Sequence, residues 1–380
     1  MTIALADTLI ARAQAQTGLS DFGPQGWRQG LGELVTVMRS RDFGDVANAR
    51  IEDRLTAVLA SRLQIEDWIA SHPQVLDEDI TAPLFILGMP RTGTTALQAF
   101  LANDPQWRYL RGWEAAQPVP PPNPATEASD PRAVAERTRQ QESGGLGQNV
   151  HIHEAGGPVD DAALLRLDFR NQELGWPAWP YTRWWRGCDM TTAYAYHARV
   201  LKLLQSGREP ARPPRRWMVK APWHNFHIGA LARQYPDARF VMCHRDPAKL
   251  LPSVASVVRS VHRGLLGADA ASSEEIGAFV LEHMQVSIAR VMAFRREHGS
   301  AKFYDMAHKD FNADPFGTTA KIYDWLGTQL SPQGRAAMEG WNNRNRAGAH
   351  GEHSYTAAEF GLEPEKIREV FADYIAQFGL

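Results

Sequence analysis

Residues Leu84 to Thr95 read LFILGMPRTGTT: five apolar or glycine positions running into a turn bracketed by Gly88 and Gly93. A short continuous apolar run bounded by glycine and proline is the signature of a strand buried on both faces. The GxxxxG spacing that follows suits a loop whose backbone N–H groups, together with the first turn of the next helix, cradle an anion. The residues after Gly93, TTALQAFLANDP, predict a helix that stops near Asp104 and Pro105. In a nucleotide triphosphate loop the position after the second glycine is a lysine that neutralises the β and γ phosphates. Here it is Thr94, and the cation is Arg91, three positions earlier than that lysine would be.

Further along, RRWMVKAPWH at Arg215 to His224 predicts a second buried strand, and NFHIGALARQYPDA predicts a helix leading to a third strand at Arg239 to His244. This alternation implies a parallel sheet flanked by helices, in which ligands bind beyond the carboxyl ends of the strands. Residues 1 to about 80 form a helical N-terminal extension, with Ile51, Leu55, Val58 and Leu59 at helical spacing, and residues 81–380 form the main domain. Two irregular insertions are expected near the site, at about 115–150 and 170–190. The first contains QPVPPPNPATEASDPR, whose prolines remove backbone donors, and the second GWPAWPYTRWW. Ile367, Val370, Phe371, Tyr374, Ile375 and Phe378 predict an amphipathic C-terminal helix docked on the core.

Composition narrows the class. Of 380 residues, 44% are apolar and 22% charged, as in an ordinary globular enzyme, and the formal net charge of −2 offers no general attraction to nucleic acid or anionic membrane. Cys188 and Cys243 are too few for a disulfide scaffold, and no apolar run approaches the roughly 18 residues of a membrane span. The expected setting is therefore cytoplasmic, with a small-molecule partner and no nucleic acid. His151 and His153 of HIHE would share a strand face, but no third ligand has metal-site spacing, so no metal is expected and His153 is read as a possible cavity histidine.

The motif PRTGTT, Pro90 to Thr95, resembles the 5′-phosphosulfate loop of sulfotransferases that use 3′-phosphoadenosine 5′-phosphosulfate. Arg245, with Ser253 eight positions on, resembles their 3′-phosphate motif, and KAPWH, Lys220 to His224, resembles the Lys-x-Pro segment of tyrosylprotein and many bacterial members. The resemblance spans about residues 83 to 355. It implies an α/β P-loop nucleotide-binding fold and in-line transfer of a sulfuryl group to an acceptor hydroxyl, with an amine as the second choice. A transferring sulfuryl group carries less negative charge than a phosphoryl group, so arginine, lysine and helix-end donors suffice without a divalent metal.

By the same resemblance, Arg91, Thr92, Gly93, Thr94, Thr95, Arg245 and Ser253 bind the donor. Arg346 and Gly348 of NRNRAGAH match an Arg-x-Gly loop that closes over its 3′-phosphate. Arg91 and Lys220 would hold the sulfuryl and bridging oxygens. Glu114, His224 and His153 are the candidates for the base that takes the acceptor's proton. The aromatic residues Trp176, Trp179, Tyr181, Trp184 and Trp185 either wall an apolar pocket for an aromatic or apolar alcohol or pack the core or a subunit contact, a homo-oligomer being possible. Two rival functions remain: a magnesium-dependent kinase, and a nucleotide-binding interaction protein without chemistry.

Overall fold

The structure is a computed structural model, and it describes residues 2–142, 156–207, 215–267, 269–345 and 355–380. At its centre stands a five-stranded, all-parallel sheet in the order β2-β3-β1-β4-β5, formed by Leu84–Gly88 (β1), Trp107–Arg108 (β2), Arg216–Lys220 (β3), Arg239–His244 (β4) and Phe303–Ala307 (β5). β1 lies between β3 and β4, with Phe85 level with Val219 on one side and Phe240 on the other. Its side chains feed both faces. Phe85 and Leu87 enter the larger hydrophobic core, Leu84 and Ile86 the smaller one on the opposite face. This is why the strand reads as an unbroken apolar run instead of an alternating one.

Three helices, Thr2–Thr17 (α1), Trp27–Arg39 (α2) and Asp45–Ser71 (α3), make up the N-terminal extension and share the larger core with β1. The buried Arg62 of α3 fixes this docking. Its guanidinium donates to the carbonyls of Phe22 (2.8 Å), Pro24 (2.5 Å) and Leu167 (2.9 Å) and lies 3.7 Å from the Tyr196 ring centroid. A buried guanidinium is tolerable only with its donors filled, so α3 and the chain at Leu167 are held as one unit.

Several local expectations need correcting. The segment at 170–190 is not wholly irregular: Trp179–Gly187 is a helix with Pro180 in its first turn, where the missing N–H costs nothing. Likewise Pro131 opens the helix Pro131–Glu142 inside the first insertion. The C-terminal segment is two short helices, Pro364–Val370 and Ala372–Phe378, broken at Phe371 (ψ 19°), which leaves Val370 exposed while Ile367, Phe371 and Tyr374 are buried. β2 and β5 are strands that the sequence reading did not anticipate. Among the described residues no helix is long and apolar enough to cross a membrane.

Two buried histidines make stability pH-dependent. Burial pushes the imidazoles of His227 and His262 down to about 3 and about 4, from an ordinary value of 6.5. Both are neutral when folded, whereas the unfolded chain protonates them below pH 6.5. Their contribution is therefore intact above that pH and lost as the pH falls toward 4, at a cost on the order of 2 kcal/mol apiece at pH 5. Thermal melts should show a lower Tm at pH 5 than at pH 7, with a smaller loss in His262→Leu, which has nothing there to protonate. An equal loss in that variant would exclude His262 as a contributor.

Candidate active site

All the cationic residues singled out by sequence, other than Arg346, converge at the carboxyl ends of the strands. β1 ends at Gly88, whose φ of +138° only glycine adopts readily, and the chain turns through Arg91 (φ +69°) and Gly93 (φ +91°) into the helix Thr94–Leu101 (α4). The buried Thr92 hydroxyl donates to Met89 O at 2.7 Å, so this side chain holds the turn in shape. Arg91 Nε donates to Ser253 Oγ at 3.1 Å, and Arg245 Nη1 donates to the Arg91 carbonyl at 2.9 Å. One arginine thus ties the turn after β1 to the residues that follow β4. Burial and the neighbouring Arg245 cation push the Arg91 guanidinium below its usual range, as in a place that favours an arriving anion.

The helix after β4 starts within three residues of the strand. Asp246 caps it by accepting from Ala248 N, Pro247 is its first residue, and Pro252 lies inside the helix Pro247–Leu266. Ser253 consequently sits in the second turn, beyond the free N–H groups of the helix end, and meets the site through its hydroxyl. A histidine that sequence reasoning did not select also belongs here. His308, next after β5, approaches the turn so closely that a Cβ on Gly93 would lie 2.8 Å from its Cδ2. Burial and the Arg245 and Arg91 charges hold its imidazole down to about 4.

On the other side of β1, the buried Lys220 ends β3, donates to Thr95 Oγ1 at 3.1 Å and forms an ion pair with Asp160. These three residues border a cavity of about 430 Å3, whose further walls include the apolar Ala115, Ala116, Val159 and Ala163. Asp160 is half-exposed toward it. Its neighbour Asp161 is buried and turned away, accepting from His224 Nε2 (2.9 Å) and meeting His197 Nε2 (3.0 Å), while its own N–H donates to the Lys220 carbonyl at 3.2 Å. Asp161 thereby anchors the loop that presents Asp160.

The remaining candidates lie elsewhere. Glu114, on the helix Gly112–Ala116 (α5), is fully buried in ion pairs with Arg108 and Arg111, each at 2.5 Å, and caps its own helix through Arg111 N (3.0 Å). Those two cations hold its carboxyl below the ordinary range against the effect of burial. Gly112, Ala115 and Ala116 of that helix reach the cavity wall; Glu114 does not. Glu114→Ala should lower stability by roughly 3–5 kcal/mol, because it strands two buried guanidinium groups. Denaturant unfolding measures this, and a loss under 1 kcal/mol would contradict the assignment.

His224 has both ring nitrogens occupied, Nε2 by Asp161 and Nδ1 by the Tyr194 hydroxyl at 3.0 Å. None of the five aromatics of the second insertion borders the cavity; Trp179 instead stacks on Phe279 at 3.8 Å, and Trp185 packs on Phe226 at 5.1 Å. His151, His153, Arg346 and Gly348 lie outside the described residues. Among those described, no three His, Cys, Asp or Glu side chains are grouped as metal ligands.

This combination of a central anion turn, a second arginine-serine pair and a strand-end lysine matches a known family along most of the chain. The sulfotransferase family model covers residues 83–332. The chain belongs to the sulfotransferase family. Its fold superposes on the crystal structure of sulfotransferase STF9 from Mycobacterium avium with a TM-score of 0.89 and 31% identity, over 98% of this chain and 96% of that one. Sulfotransferase STF1 from Mycobacterium tuberculosis H37Rv is similar at a TM-score of 0.84 and 29% identity, over 97% and 98%. Because those alignments run nearly end to end, the helical extension α1–α3 falls within the likeness to both.

Among characterised relatives, the omega-hydroxy-beta-dihydromenaquinone-9 sulfotransferase Stf3 of Mycobacterium bovis is 25% identical over 114 residues. That match covers 29% of this chain and spans 28% of the relative's length. Asp160 and His308 are the two site residues of this sulfotransferase-family chain that the sequence alone did not disclose. For Asp160 the available signal was the pair Asp160-Asp161 opening a helix in VDDAALL; for His308 it was the position just after a strand that went unrecognised.

Proposed function

We propose that this protein transfers a sulfuryl group from 3′-phosphoadenosine 5′-phosphosulfate to an acceptor hydroxyl, with Asp160 as the base. The observation that carries the reading is the junction at Arg91, whose guanidinium meets Ser253 and whose carbonyl meets Arg245. A donor with phosphate-type groups at both ends of one adenosine needs two anion sites around a single loop, and this junction supplies the residues for both. The left-handed turn at Gly93 puts no side chain of its own over the backbone N–H groups of the loop and of α4, which fits the phosphosulfate end. Arg245 and Ser253 fit the ribose phosphate.

The donor, when bound, supplies an activated sulfuryl group. What the chain contributes is charge placement and orientation. Arg91 and the loop amides bind equatorial oxygens. Lys220, oriented by Thr95, sits where a cation can stabilise charge developing on the leaving oxygen. Asp160 faces the acceptor cavity and takes the hydroxyl proton as the new bond forms. Glu114 and His224, both consumed by buried partners, are left to structural roles. An alcohol acceptor agrees with the hydroxylated quinone named for the Stf3 relatives and with the apolar walls of the cavity.

Calorimetric titration tests the donor. Adenosine 3′,5′-bisphosphate should bind without added magnesium, and Arg245→Ala should weaken it about ten- to a hundredfold, the range for a lost hydrogen bond to a charged group. Binding of Mg-ATP in preference to the bisphosphate would replace this reading with a kinase.

A further inference from the structure

The cavity beside Lys220 contains one cation that the transfer chemistry does not use. Arg166 is the last residue of the helix Ala162–Arg166, one turn beyond Ala163, and both line the cavity. Among the described residues its guanidinium makes no hydrogen bond and no ion pair. The nearest carboxylate in charge terms, Glu173, is committed elsewhere: its Oε1 lies 3.3 Å from Arg54 Nη1 and accepts from Gly175 N at 2.6 Å. Arg54 itself adds a like charge, and burial together with that charge pushes Arg166 below its ordinary range. An arginine does not escape such a position by losing its proton, so an anion that enters the cavity finds a charged partner there. Lys220 is paired with Asp160 and Thr95 and is assigned above to the donor's leaving oxygen, which leaves Arg166 as the cation for a second anion.

Building on the transferase reading above, we propose that the acceptor carries an anionic group of its own, a carboxylate or phosphate-type ester, that seats on Arg166 while its hydroxyl is presented to Asp160. The planar fork of a guanidinium matches such groups through two parallel hydrogen bonds. Charge at this end of the cavity would select among alcohols that its apolar walls alone would not distinguish.

The test uses matched acceptors, 3-(4-hydroxyphenyl)propionate and its methyl ester, and as an aliphatic pair 6-hydroxyhexanoate and its methyl ester. For wild type, kcat/KM for acid over ester should be on the order of tenfold or more. Arg166→Gln should bring that ratio to about one, and Arg166→Lys should restore part of it. Calorimetric binding of the acids to the bisphosphate-loaded protein gives a readout independent of turnover and should show the same order. The melting temperature and bisphosphate affinity of Arg166→Gln show whether its fold survives; if it does not, the wild-type ratio and Arg166→Lys decide. Equal handling of acid and ester by wild type, an acid preference that persists in Arg166→Gln, or failure of the acids to bind overturns the proposal. Failure to bind the bisphosphate, in contrast, overturns the transferase reading itself.

Discussion

Asp160→Asn should lower kcat for sulfuryl transfer roughly 10²–10⁴-fold, the usual worth of a positioned general base. The amide keeps the size and polarity of the carboxylate but cannot accept the proton. Binding of adenosine 3′,5′-bisphosphate should persist, because the donor contacts assigned above lie at Arg91, Arg245 and Ser253. Asp160→Glu, which retains the carboxyl on a longer arm, should recover part of the turnover. The informative rival is Glu114. Single-turnover assays in which Asp160→Asn stays active while a folded Glu114→Gln is dead would return the base to Glu114 and require its buried pairing with Arg108 and Arg111 to open during catalysis.

Lys220→Met is expected to cost about 10²–10³ in kcat, comparable to removing one preorganised donor from a site where charge develops. Methionine preserves the buried stem, so packing at the end of β3 changes little, yet Thr95 Oγ1 loses its donor and Asp160 its counter-ion. The loss should fall on kcat and leave KM for the donor nearly unchanged, the pattern of a contact that strengthens only in the transition state. A rise in KM with kcat intact would mean that Lys220 merely binds substrate.

The central turn was legible in the sequence because local rules and global fold agree there: a continuous apolar strand, two glycines that need left-handed or extended backbone, and a helix with a clear stop. β3 and β4 are readable for the same reason. β5 escaped because it pairs with β4 alone at the sheet edge and buries chiefly Phe303 and Met306, too few positions for a recognisable period. Asp160 acquires its meaning from Lys220, 60 residues away, and no local pattern encodes such a contact. The burial of Glu114 was not read from the sequence although its sign was near at hand. Arg108 and Arg111 lie on the same short stretch, and a carboxylate flanked by two arginines is more easily neutralised by them than left to face a substrate. Prolines misled at Pro131 and Pro180, since a proline marks irregular chain in composition yet sits comfortably in the first turn of a helix.

The clasp formed by Arg62 bears on how this protein can be handled. Because α3 grips the carbonyl of Leu167, directly after Arg166, the first eighty residues brace the wall of the cavity beside Lys220. Trimming them to obtain a minimal catalytic fragment would remove that brace. Such a fragment would also bare the core that α1–α3 share with β1, so shortened versions are poor reagents for finding the natural substrate.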